Sequence, residues 1–339
     1  MGLEMTPSHG MLSRVAGNLF WIGRMMDRAE NIARLADAAR RIEALPGETA
    51  LQSSEWTSAL ISAGLRDSEH MPLHAASRRE AVHLLFFDRS NSSSVYNCFE
   101  QSRENARAVR TDITQEVWET LNNGWRDYRD LEGWLDDPSA LSKVIDWIKS
   151  FTAQFRGGVN GTMLRNDGFA FLKLGQTIER VDSTARLVDV KYHVLLPGVD
   201  DIGSTTDRVQ WQALLHAASA QKAYTHATRS DMRARSVANF LVLSTQFPRS
   251  IRFSVRNTFQ TVRQLEAFYD QRADCHDLVA EFAGGLERVS IDDVISHGLH
   301  EFLTEIVQKN YAVADALAVS YGFAPPVDEG ESMSSDMVQ

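Results

Sequence analysis

The sequence predicts an all-α protein, a helical bundle built from two duplicated halves related by a pseudo-two-fold, and three observations carry that expectation. Apolar residues recur at helical spacing almost throughout, and the prolines, at 7, 46, 72, 138, 197, 248, 325 and 326, leave long stretches without a breaker. Alternating strand patterns bounded by tight turns are scarce; Asp167-Gly168 precedes a short apolar run, but helical spacing continues through it. The third observation is an internal repeat. With Gly23 set against Gly175, Asp27 faces Glu179, Arg28 faces Arg180 and Glu30 faces Asp182, and Ala33, Arg34, Leu35 and Asp37 match Ala185, Arg186, Leu187 and Asp189. A second block, Leu85-Phe86-Phe87 with Ser94-Val95, resembles Leu241-Val242-Leu243 with Ser250-Ile251 after a small change in length.

Element by element, the first helix is expected over 11–43, where Ile22, Met26, Ala29, Ile32, Ala33 and Ala36 share one side. Helices over 77–88 and 94–110 follow, the latter opened by Ser94 as N-cap, then helices over 113–135 and 139–156 after Pro138. The Gly157-Gly158-Val159-Asn160-Gly161 run predicts a turn between the halves. Helices over 168–195, 206–226, 235–244, 250–270 (opened by Ser250) and 291–318 complete the second half. The expected organisation is a 1–10 extension, a first half over 11–156, a second over 157–318, and a disordered acidic tail over 319–339 carrying Asp328, Glu329, Glu331 and Asp336.

The chain's 339 residues, 43% of them hydrophobic, suffice for a large core. A net charge of −10 argues against a general nucleic-acid binder, which needs a basic footprint. Lysine occurs only at 143, 149, 173, 191, 222 and 309, so arginine supplies most of the 35 cationic side chains. Its planar fork suits partly buried carboxylate or phosphate pairs. Cys98 and Cys275 are too few for a disulfide framework and fit a reducing cytoplasm. No run of about 18 apolar residues predicts a membrane span, and Met1–Gly10 lacks the regions of a signal peptide.

One face of the first helix carries Gly23, Asp27, Glu30, Asn31 and Arg34, and its repeat carries Gly175, Glu179, Asp182 and Arg186. A glycine within each stripe permits close helix approach, so the stripes are expected to meet as a polar centre. Glu30–Arg34 and Asp182–Arg186 are acid-to-base pairs at i,i+4, the signature of a packing network. Glu179 has no cation at i±3 or i±4 on its own helix, and Asp27 has only Arg24, so both acids look outward for a partner or ligand. The competing reading makes the centre a pocket in which Arg28, Arg34, Arg180 and Arg186 hold a substrate and Glu179 is the base. Neither metal nor cofactor is expected: the paired acids lack the histidine of a di-metal bundle, and arginines crowd them. His297 and His300 read as a polar pair on one helix face. Arg89 with Ser94, and Arg249 with Ser250, mark helix starts that either are simply capped or bind an anion. No phosphate loop, dinucleotide fingerprint or hydrolase elbow is present.

The run from Met11-Leu12-Ser13-Arg14 through Asn18-Leu19-Phe20-Trp21-Ile22-Gly23-Arg24 to Asp27-Arg28-Ala29-Glu30-Asn31 resembles the opening signature of the bacterial alpha-E domain proteins. Gly175, Glu179-Arg180 and Asp182, the Ser93-Ser94-Val95 segment, Asn105-Ala106-Arg107, Glu116-Val117-Trp118-Glu119 and Phe247-Pro248-Arg249-Ser250 resemble further blocks of that family, over about 11 to 318. The resemblance makes Met11 a candidate start. Asp27 stands where the family more usually has Glu, and Ser92 where it often has Pro. The resemblance implies an all-α fold and association with circularly permuted ATP-grasp ligase-like proteins and with transglutaminase-like proteins. The expected function is an auxiliary subunit of a peptide- or amide-bond-forming system, non-catalytic or ligand-binding. An enzyme acting on an amino-acid or peptide substrate, and a plain helical oligomerisation scaffold, remain as alternatives; a homo-oligomer is open.

Overall fold

The computed structural model describes residues 11, 13–44, 52–65, 73–133, 140–193, 205–228 and 232–323, and all its regular elements are helical. In chain order they are α1 (Ser13–Glu43), α2 (Gln52–Ser62), α3 (Arg78–Phe86), α4 (Val95–Ala108), α5 (Gln115–Arg129), α6 (Ala140–Thr162) and α7 (Asp167–His193). Then come α8 (Thr205–Ala217), α9 (Gln221–Thr228), α10 (Ala234–Leu243), α11 (Ile251–Tyr269), α12 (Cys275–Arg288), α13 (Ile291–His297) and α14 (Leu299–Ser320). The 1–10 extension and the tail acids lie outside the described residues.

Two long helices organise the bundle. α1 packs on α7 more extensively than any other pair, and both are wrapped by neighbours: α2, α4, α6 and α8 around α1, and α2, α10, α11 and α14 around α7. Burial on nearly every side explains why neither shows a strong apolar stripe. Their crossing is set by two glycines. A β-carbon at Gly23 would collide with the Leu172 carbonyl, and one at Gly175 with the Phe20 carbonyl, so only glycine lets these backbones touch.

Five expectations need correction. The Gly157–Gly161 run is not a turn: α6 continues to Thr162, with Phe155 and Val159 buried in register with Phe151 and Thr152, and the turn falls at 163–166. The helix expected over 206–226 is two helices, divided where Ser219 adopts a left-handed φ of 52°. The helix expected over 291–318 is also two, divided at Gly298 with φ 104°. Two helices, α2 and α12, lay in stretches for which no helix was expected; α12 forms although Gly284-Gly285 interrupts it, because Cys275, Val279, Phe282 and Leu286 bury a continuous face. Past α14, Phe323 still packs on Gly17 and Phe20, so the body reaches beyond residue 318.

Candidate functional site

The crossing brings the charged stripes together, and each helix's acid takes the other helix's arginine. Glu179 of α7, 2% exposed, accepts from Arg28 Nε at 2.6 Å and Nη2 at 2.9 Å, a bidentate fork, and from Arg24 Nε at 3.1 Å. Asp27 of α1, equally buried, accepts from Arg180 Nε at 3.0 Å and Nη2 at 2.9 Å. Thus Asp27-Arg28 and Glu179-Arg180 interlock, and the partner that Glu179 lacks on its own helix comes from α1.

One turn further, the acids diverge. Glu30 is wholly buried and gathers three guanidiniums: Arg34 with Nε at 3.0 Å, Arg249 with Nη2 at 2.7 Å, and Arg156. Among the described residues Asp182 makes one ion pair, with Arg186 Nε at 2.9 Å, and its other oxygen is buried without a well-formed hydrogen bond, with Tyr311 nearby. Arg186 also donates to the Tyr311 hydroxyl at 2.5 Å. Asn31 is half-buried beside these groups and makes no side-chain hydrogen bond among the described residues.

Electrostatics follows the geometry. Burial alone would raise the pKa of Glu179, but Arg28 and Arg24 outweigh it and hold the carboxyl at about 2. Burial likewise opposes ionisation of Glu30, and Arg249, Arg34 and Arg156 overcome it, keeping the group far below the usual carboxylate range. The Arg28 guanidinium, disfavoured by burial, is raised instead by Glu179, and Arg180 is raised in the same way by Asp27. Arg249 is the exception: burial outweighs Glu30 and lowers it. Cys98, wholly buried, is pushed by burial up to about 12 and is no nucleophile.

At the two helix starts the structure shows capping. Ser94 and Ser250 accept from the backbone N–H of Asn97 and Phe253, ordinary caps. Arg249 turns inward to Glu30, while Arg89 lies over the Tyr96 ring at 4.7 Å. The two histidines do not share a helix face: His297 ends α13 and meets Glu305 at 3.0 Å, while His300 begins α14 and meets Asp189 at 2.7 Å. No group of three or more metal-ligating side chains occurs among the described residues. Arg156 and Arg249, which complete the cluster around Glu30, and Lys173, within reach of Arg180 and Asp27, were absent from the set read as the charged centre, although Arg249 stood among the candidate anion-site residues. Arg156 and Arg249 come from other elements, with no local spacing to betray them, and Lys173 carried no pattern of its own.

A family model for the alpha-E domain, described as "a predicted alpha-helical domain with a conserved ER motif", matches residues 11–321. Glu179-Arg180 is such a pair, at the middle of the network, and Glu287-Arg288 is another at the end of α12. An uncharacterized protein of Mycobacterium bovis is 25% identical over 301 residues, 83% of this chain but 31% of that protein. An uncharacterized protein of Mycobacterium tuberculosis is 24% identical over the same shares. The chain thus spans about a third of the curated relatives it matches. No solved structure matches it.

Proposed function

The chain belongs to the alpha-E family, and from that premise we propose that it is an auxiliary subunit of an ATP-grasp-dependent system that forms peptide or amide bonds, working through its charged centre as scaffold or ligand site. The observation that carries this reading is the state of Glu179, the acid that the enzyme reading would use as its base. A carboxylate holding three N–H donors, with a pKa near 2, has almost no affinity for a substrate proton at neutral pH. The rival enzyme reading therefore lacks its base. A second support is the length of the mycobacterial relatives, in which the region like this chain is joined to more than twice its own length of other sequence. An auxiliary role beside a further protein part is in keeping with that arrangement.

The two halves read as a duplication about a pseudo-two-fold, and paired contacts support this. Packing of α4 on α1 has its counterpart in α11 on α7, α6 on α1 in α14 on α7, and α5 on α6 in α12 on α14. The interlocked Asp27-Arg28 and Glu179-Arg180 would straddle the axis. Two free, buried cysteines suit a reducing cytoplasm.

The test is coexpression of tagged chain with a circularly permuted ATP-grasp ligase-like protein from the same genome, with a transglutaminase-like protein as a second arm. Coelution with the ATP-grasp protein is expected. Separate elution of two folded proteins would rule the reading out.

A further inference from the structure

The Glu30 end of the centre carries more positive charge than the network can use. Six cations gather around two carboxylates: Arg249, Arg34 and Arg156 act on Glu30, Arg180 on Asp27, and Lys173 lies within electrostatic reach of Arg180, Arg156, Arg165 and Asp27. The chain as a whole is acidic at −10, so this surplus is local.

Two of the six have no carboxylate partner among the described residues. Lys173, on α7, donates to Gln176 Oε1 at 3.0 Å and lies 6.0 Å from the Phe169 ring centroid. Arg165, exposed in the turn before α7, stacks on the same ring at 3.9 Å and reaches the Asn160 carbonyl. Arg156, at the end of α6, gives one edge of its fork to Glu30 and is 24% exposed. Arg165 and Arg156 are thus the more exposed of these cations, Lys173 is half-buried, and Arg180 and Arg249 are more deeply enclosed.

We propose that Arg156, Arg165 and Lys173 form a binding site for the phosphate group of a small-molecule ligand. A surplus of more than one charge favours a phosphate dianion over a carboxylate, and two forks plus a point charge match its tetrahedral oxygens. The state of Lys173 agrees. Burial first, then Arg180, Arg156 and Arg165, lower its pKa to about 8, with only Asp27 opposing, as expected of an amine whose counter-ion is a ligand. The proposal stands on local charge and does not depend on the partner proposed above, so either can fail alone.

The test uses the full chain labelled with 13C-lysine, whose six lysines give few signals, titrated with inorganic phosphate, with acetate, and with chloride at matched ionic strength. Phosphate is expected to raise the Lys173 midpoint by about one unit or more and leave the other five in place. Arg165→Gln, an exposed change that spares the fold, should weaken phosphate binding about tenfold by calorimetry, the scale of one charge-assisted pair. Lys173→Gln supplies the assignment and should abolish the effect. An unshifted Lys173, an equal response to acetate or chloride, or unchanged affinity in Arg165→Gln would overturn the proposal.

Discussion

The two acids that follow the interlocked pairs occupy corresponding places in α1 and α7, yet live in different surroundings. Glu30 is wholly buried under three guanidiniums; among the described residues Asp182 has one, Arg186, whose side chain is 30% exposed, and one carboxylate oxygen without a well-formed hydrogen bond. The difference originates outside the stripes. Arg249, the residue before the Ser250 cap, reaches Glu30, while Ser93, before the Ser94 cap, has only a hydroxyl and accepts from Arg28 at 3.4 Å. Similar helix faces thus became a saturated, cation-rich end and a lightly paired one through residues supplied by their neighbours. Buried charge is tolerated only where partners are complete, so the two ends should respond differently to the same chemical change.

The largest effect is expected at the crowded end. Glu30→Gln leaves three arginines sharing a neutral amide and should cost about 3–5 kcal/mol in urea unfolding. Next come Gly23→Ala and Gly175→Ala, which sharpen the comparison because the crossing is reciprocal. Each should cost about 2–3 kcal/mol after the helix-propensity gain of alanine, and by similar amounts, since backbone carbonyls cannot yield. Asp182→Asn should cost only about 1–2 kcal/mol, the scale of one lost charged hydrogen bond. A cost equal to that of Glu30→Gln would break the comparison.

The smallest effect carries a pH signature. Lys173 is protonated in both states below pH 8, so the cost of its burial is then fully present. Above that, the folded chain releases the proton before the unfolded chain does at about 10.5, and the cost fades. Lys173→Met should therefore be more stable than the parent at pH 7, by about 1 kcal/mol after screening, with the gap closing between pH 8 and 10. A pH-independent gap would point to packing alone.

The long helices and the polar stripes were legible because both are periodic within one element: Glu30–Arg34 and Asp182–Arg186 are local pairs. The need of Glu179 for an outside partner was legible too, since its own helix offers none. What brings Arg156 and Arg249 to Glu30 is tertiary, and no local spacing encodes it. Glycine misled in two places for one reason. In α6 and α12 it lies on helices held by the buried faces of Phe155 and Val159 or Phe282 and Leu286, where packing overrides a modest propensity cost. Ser219, by contrast, breaks a helix without any residue type that announces a break.

Glu179 is a locked ion, held by Arg24 and Arg28, and so unfit to be a base. Carboxyl 13C NMR of glutamate-labelled protein, assigned through Glu179→Asp, measures this directly. With the midpoint at about 2, Glu179 should remain ionised down to about pH 3.5 while ordinary glutamates, near 4.5, protonate. A Glu179 midpoint at or above that ordinary value, in protein still folded, would contradict the interlocked centre and return Glu179 to the role of a base.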